Sequence, residues 1–219
     1  MDLPNQDESA LRSDLENIAR LNKTFGGKKA VEKIFHRLAE GIDRLVLIDL
    51  ACGYGDHGRN LIRLAHTHRR EITVVATDLQ FQTLQIARDA TPRDQKMFFV
   101  QADARQLPFR PKSAELVFCS LALHHFAEKD AFTVLKEMIR VARLGTACID
   151  LVRSRLAAFC ILLLTTFIIR DPMVRHDARL SVRRAFTHEE MKSLARQAGW
   201  LKLKQIRFLW FQQAILARI

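Results

Sequence analysis

Residues 45–58 constrain the fold more than any other stretch of this chain. An apolar run, Leu45, Val46, Leu47 and Ile48, leads to a carboxylate at Asp49 and then to small residues at Ala51, Gly53, Gly55 and Gly58. The run has the character of a parallel strand buried on both faces. From Arg59 onward the apolar residues Leu61, Ile62, Leu64 and Ala65 fall at helical spacing. A strand that turns through glycines into a helix is where open α/β sheets take adenine-containing cofactors. The missing side chains let a ligand reach the backbone, and the helix N-terminus presents free N–H groups.

Residues 53–58 satisfy the spacing G-x-G-x-x-G, so a nicotinamide or flavin dinucleotide is one reading. Asp49 opposes it, because a carboxylate beside the loop repels a pyrophosphate. The same carboxylate suits a cationic ligand end, such as the ammonium and sulfonium of S-adenosylmethionine. The segment Asp49-Leu-Ala-Cys-Gly-Tyr-Gly resembles the first motif of class I S-adenosylmethionine-dependent methyltransferases, with Ala51 in place of the first glycine.

Three further strands end in the same manner. Residues 72–78 are β-branched and apolar and close on Asp78, placed to accept hydrogen bonds from ribose hydroxyls or to cap the helix over residues 80–90. Residues 97–103 repeat the pattern and close on Asp103, and residues 114–120 form a fourth strand closing on Ser120. A third strand-end acid has no place in the dinucleotide fingerprint. The segment 121–126, Leu-Ala-Leu-His-His-Phe, resembles the corresponding stretch of methyltransferases that act on quinones and other small molecules.

The resemblance implies a cofactor site of Asp49, Ala51, Cys52, Gly53 and Gly55 in the loop, and Asp78 with Leu79 at the ribose. It further implies Asp103 and Ala104 at the adenine, and Ser120 and Leu121 at the methionine end. His124 or His125 would border the acceptor, or one of them would simply be packed and hydrogen-bonded. The fold implied is α/β: a Rossmann-like, doubly wound sheet of seven strands, mostly parallel, with an antiparallel last strand.

Around this core (residues 45–152) the pattern predicts three additions. Residues 1–44 read as a pair of helices broken at Gly26-Gly27, expected as a lid over the acceptor or as a helix hairpin covering a sheet edge, with Gly41 ending the second helix. Residues 153–186 form a helical cap, an insertion after the fifth strand that would border the acceptor pocket. Its segment 156–169 carries no charge and is too short to span a bilayer. That segment is expected to pack on the N-terminal pair, wall a greasy acceptor pocket, or rest on a membrane. The polar stretch after it carries His176 and Asp177, expected as acceptor-side groups with His176 as base, or as a loop whose charges hold the cap down. Residues 187–219 carry a capping box at Thr187 and Glu190, a helix, and the closing strand pair. Gly145 is expected to end the helix over residues 131–141.

Charge and cysteines narrow the function. The net charge is +11 and the Lys and Arg residues occur along the whole chain, with no basic block interleaved with aromatics, so nucleic acid is not favoured. The four cysteines lack ligand spacing, no metal site is expected, and the acidic start lacks a signal-peptide pattern. A cytoplasmic protein, with membrane association through the apolar segment as the variant, is the expectation. The reading is a methyltransferase that uses S-adenosylmethionine, releases S-adenosylhomocysteine, and methylates a small hydrophobic acceptor, O- ahead of C-methylation. The rivals are an NAD(P)-dependent oxidoreductase and an RNA methyltransferase or RNA-binding protein.

Overall fold

A computed structural model describes residues 7–167, 172–209 and 211–219. The acidic start, Asp171 as the terminator of the apolar segment, and Trp210 in the last strand lie outside the described residues. Seven strands form one sheet in the order β3-β2-β1-β4-β5-β7-β6. They are β1 (Arg44–Leu50), β2 (Glu71–Asp78), β3 (Met97–Gln101), β4 (Ala114–Ser120), β5 (Ala142–Leu151), β6 (Lys204–Phe208) and β7 (Gln212–Arg218). The strands from β1 to β5 pair in parallel, and β7 runs antiparallel between β5 and β6. The order reverses between β1 and β4, and such a switch point opens a crevice at the carboxyl ends of the strands.

Helices cover both faces. α1 (Glu8–Thr24) and α2 (Gly27–Leu38) meet at Gly26, whose φ of 84° makes the break that the paired glycines predict. α3 (Asp56–Thr67) and α4 (Phe81–Asp89) follow β1 and β2, and α5 (Glu128–Val141) precedes β5. On one side of the sheet α2 buries Val31, Ile34, Phe35 and Leu38 against Leu47, Val74 and Ala147. On the other, α5 and α8 (His188–Gln197) bury Leu135, Met138 and Met191 around Trp200. The Trp200 indole donates to the Leu135 carbonyl at 2.9 Å, so its one polar atom is satisfied inside the core. The capping box on α8 forms as expected: Thr187 Oγ1 accepts from Glu190 N, and Glu190 Oε2 accepts from Thr187 N.

Gly145 corrects one expectation. It lies inside β5 and does not end α5, which stops at Val141 with Ala142 already extended. A Cβ at Gly145 would meet Leu38 Cδ2 at 3.1 Å and the Ala217 carbonyl at 3.2 Å, so the glycine lets α2 and β7 close on the strand. The insertion after β5 is helical, as expected. α6 (Arg155–Phe167) packs along α7 (Pro172–Arg184) as a helical hairpin, so the polar stretch forms a helix and not a loop. Arg175 Nη2 donates to the Thr166 carbonyl at 2.9 Å and Arg179 Nε to Thr165 Oγ1 at 2.8 Å, so α7 caps the end of α6. The opposite face of α6 stays open, with Leu156, Phe159, Leu162, Leu163 and Phe167 exposed.

Candidate functional site

The chain leaves β1 through a turn that only unusual backbone can make. Ala51, Gly53 and Gly55 take φ values of 50°, 52° and 72°. Glycine adopts this region freely, whereas for alanine it costs about 1–2 kcal/mol. The short side chain at Ala51 keeps the turn open at the cost of that strain. The turn is held at both ends: Cys52 N donates to the Thr77 carbonyl, and Gly55 N to the Cys52 carbonyl. Arg59, buried below the loop, donates to the Tyr54 carbonyl at 2.7 Å and stacks on the Tyr54 ring.

Asp78 closes β2 and clamps the loop. Its Oδ2 accepts from Gly53 N at 3.1 Å and its Oδ1 from Gln80 N at 3.1 Å, so it ties the glycine turn to the start of α4. Leu79 beside it is exposed. Asp49 is 3% exposed, and its Oδ2 has no hydrogen-bond partner among the described residues. Burial, then repulsion from Asp56 and Asp78, pushes its pKa up to about 7. A buried carboxylate left with an open lone pair is a strong magnet for a cation. Two other side chains share this condition: Ser120 Oγ and both ring nitrogens of His57 are buried without partners among the described residues. The three belong to β1, the end of β4 and the first turn of α3, and β1 and β4 are the strands that flank the switch point.

The N-terminal helix pair packs beside the glycine loop. Leu11 and Leu15 of α1 pack with Ile86 and Tyr54, and Leu15 Cδ2 sits 3.9 Å from where a Gly53 Cβ would stand. The turn into α2 meets Leu121, whose Cδ1 would be 3.3 Å from a Gly27 Cβ. Leu121 itself bends the chain after β4 with φ of 54°.

At the adenine end the outcome is less simple. Asp103 falls in the turn after β3, and Ala104 beside it is buried. The Asp103 carboxylate accepts from Arg105 N, from Arg105 Nε through both oxygens, and from Arg105 Nη2 at 2.7 Å. The Arg105 hydrogen bonds hold its pKa below the usual carboxylate range. Arg105 also reaches Asp130, so a ligand amine at Asp103 would compete with a guanidinium.

The acceptor-side histidines separate sharply. His124 is 4% exposed in a 3₁₀ turn over Leu123–His125, and its Nδ1 lies 2.6 Å from Asp150 Oδ1. Asp150 Oδ2 accepts from His124 N at 2.8 Å, and Oδ1 also accepts from Leu151 N at 2.8 Å. Burial opposes charge on the imidazole, but the Asp150 carboxylate and its hydrogen bond, with Asp177 adding to them, leave the pKa above the ordinary histidine value; Arg184 acts against them. His125 is exposed, its ring 4.3 Å from that of His124. His176 on α7 is exposed, and its half-buried neighbour Asp177 adds to the charge that raises the His124 pKa.

Asp150 and His57 are the two residues that sequence reading missed. His57 sits inside the quoted glycine motif and was readable there. Asp150 joins His124 only because β4 and β5 pair with Ser120 opposite Ile149.

Residues 47–145 match the model of a methyltransferase domain family. The ubiquinone/menaquinone biosynthesis C-methyltransferase of Xylella fastidiosa is 32% identical over 102 residues, 45% of this chain and 38% of that protein. The chain thus matches well under half the length of the curated relatives. Human N-acetylserotonin methyltransferase, solved in complex with S-adenosylmethionine, superposes with a TM-score of 0.68 at 15% identity, over 97% of this chain and 56% of that one. An S-adenosylmethionine-dependent methyltransferase from Aquifex aeolicus gives 0.68 at 15% identity, covering 98% and 100% of the two chains. At those identities the likeness is one of fold.

Proposed function

We infer that this chain, which carries a methyltransferase domain over residues 47–145 on the fold of S-adenosylmethionine-dependent enzymes, transfers a methyl group to a small hydrophobic acceptor. The observation that carries the reading is Asp49: buried, short of a hydrogen bond, and repelled by Asp56 and Asp78. These carboxylates reject a diphosphate and favour a ligand that brings positive charge among them. When bound, S-adenosylmethionine supplies a methyl group already activated on a sulfonium, so the protein's share is alignment and proton handling. Asp49 and the loop from Ala51 to Gly55, with Cys52 and Gly53, would hold the amino-acid end. Asp78 and Leu79 would hold the ribose, Ala104 and Asp103 the adenine once Arg105 yields a contact, and Ser120 and Leu121 the sulfonium side.

On the acceptor side His124 replaces His176 as the proposed base. With Nδ1 fixed by Asp150, Nε2 is the nitrogen left to take a proton from a phenolic hydroxyl. An O-methyl product is the first expectation. C-methylation at a ring carbon activated by the same deprotonation is the second, favoured by the likeness to the Xylella C-methyltransferase. Calorimetry should show S-adenosylhomocysteine binding with no NADH binding. Labelled methyl incorporated into a phenolic acceptor, read by carbon NMR, separates O- from C-transfer. NADH binding in place of the homocysteine compound would overturn the assignment.

A further inference from the structure

We propose that the α6–α7 hairpin is a docking surface for an anionic lipid bilayer. α6 turns about half its circumference to solvent, and that half carries Leu156, Phe159, Leu162, Leu163 and Phe167 together with Arg155. At 100° per residue these positions fall on one face, while Ala157 and Thr165 are buried on the other. Leu156, Phe159 and Phe167 are 62%, 57% and 79% exposed, far more than isolated surface leucines on a globular domain need to be. The helix has 13 residues, about 20 Å of length, and among the described residues no helix is long and apolar enough to cross a membrane. The face is built to lie in an interface.

Charge decides which occupant fits it. Residues 153–186 hold seven arginines against two aspartates, five of the eleven net positive charges in under a sixth of the chain. Arg175 and Arg179 are engaged with the end of α6, but Arg155, Arg183 and Arg184 are exposed. Arg153 N donates to the Phe186 carbonyl, so the end of α7 returns beside the start of α6 and gathers these guanidinium groups at the hairpin's base. An apolar helix face framed by arginines matches acyl chains below a layer of negative headgroups. A second copy of this basic chain would bring like charges together at the same rim. α7 also packs on the 3₁₀ turn that carries His124, so the docked face lies next to the acceptor side of the site.

Flotation of the full chain with two vesicle types tests this without any methyl transfer, so its result is independent of the proposed activity. The probes are vesicles of phosphatidylcholine alone and of phosphatidylcholine with phosphatidylglycerol. The chain should float with the anionic vesicles, and Phe159→Glu with Leu163→Glu should reduce the bound fraction by more than about tenfold. Arg155→Gln and Arg183→Gln should each weaken it about fivefold at low salt. All these positions are exposed, and an unchanged circular dichroism spectrum verifies folding of the variants. Absence of binding to either vesicle, equal binding to both, or binding untouched by the glutamates would overturn the proposal. So would self-association of the wild-type chain, by sedimentation velocity without lipid, that the glutamate variant abolishes.

Discussion

Replacing Asp150 with asparagine is the most informative single change outside the glycine loop. The carboxylate uses both oxygens: Oδ1 for His124 Nδ1 and Leu151 N, Oδ2 for His124 N. Asparagine has the same shape but only one oxygen. Whichever way its amide turns, an NH₂ faces a buried N–H, and at least one hydrogen bond to a charged group disappears. Such a bond contributes about 1.5–3 kcal/mol, and the orphaned donor adds to the loss. For a chain of this size, 1 kcal/mol moves Tm by about 2–4 °C, so a fall of roughly 3–12 °C is expected.

The loss has a pH signature. The folded-state pKa of His124 is raised, so the wild-type pair contributes its full stability below the unfolded histidine value and loses it as pH rises through the raised one. Across that window the wild-type advantage over Asp150→Asn should shrink. In activity, a base must be neutral, so the acidic limb of the kcat profile should move to lower pH in the variant. Thermal melts across the neutral range, with His124 ring protonation followed by NMR, read both effects. An Asp150→Asn protein with unchanged Tm and an unshifted His124 titration would refute this account of the pair.

Other substitutions test the remaining parts. Ala51→Gly relieves the left-handed strain at φ 50° but adds unfolded-state freedom, for a net gain of about 0–1 kcal/mol in denaturant melts with cofactor binding intact; a destabilised protein would contradict the strain reading. Asp49→Asn should raise the stability of the ligand-free protein near neutral pH, because ionising Asp49 in the folded state is disfavoured as pH rises from the usual carboxylate value toward about 7. The same variant should weaken S-adenosylhomocysteine binding by calorimetry, and a gain in neither quantity nor loss of affinity would remove Asp49 from the site. Arg105→Ala should leave cofactor affinity equal or tighter by releasing the Asp103 carboxylate, and a marked weakening would show the guanidinium itself to be a ligand group.

The sheet and its strand-tip acids were legible because each signal is local. An apolar run followed by Asp and a small residue needs only neighbouring positions to state its meaning, as at Asp49 and Asp78. Ala51 was read correctly as a feasible glycine substitute, and the structure gives the backbone angle that it tolerates. Gly145 was misread because glycine after a helix has two physical uses, a cap and a close approach, and only the neighbouring α2 and β7 distinguish them. The stretch that forms α7 also reads as a charged loop because four arginines, a histidine and an aspartate interrupt a thin stripe of Val174, Ala178 and Val182; the arginines Arg175 and Arg179 are ordered by the carbonyl and hydroxyl groups at the end of α6. The His124–Asp150 pair spans 26 residues and exists only through β4–β5 register, so no local pattern could announce it. The saturation of Asp103 by Arg105, two residues on, was within reach of sequence and was missed because the strand-end pattern drew attention to the acid alone.

The account turns on a carboxylate that waits for a positive ligand. A cation about 4 Å from Asp49 is worth about 4 kcal/mol at the effective dielectric of a protein site, enough to ionise a carboxyl that burial holds near neutrality. Carbon-13 NMR titration of labelled aspartate, with Asp49→Asn to assign the signal, measures this directly. Without ligand the Asp49 carboxyl should titrate at about 7, and with S-adenosylmethionine it should be ionised well below that value. An Asp49 that titrates in the ordinary carboxylate range, or whose titration is indifferent to S-adenosylmethionine, would contradict the account.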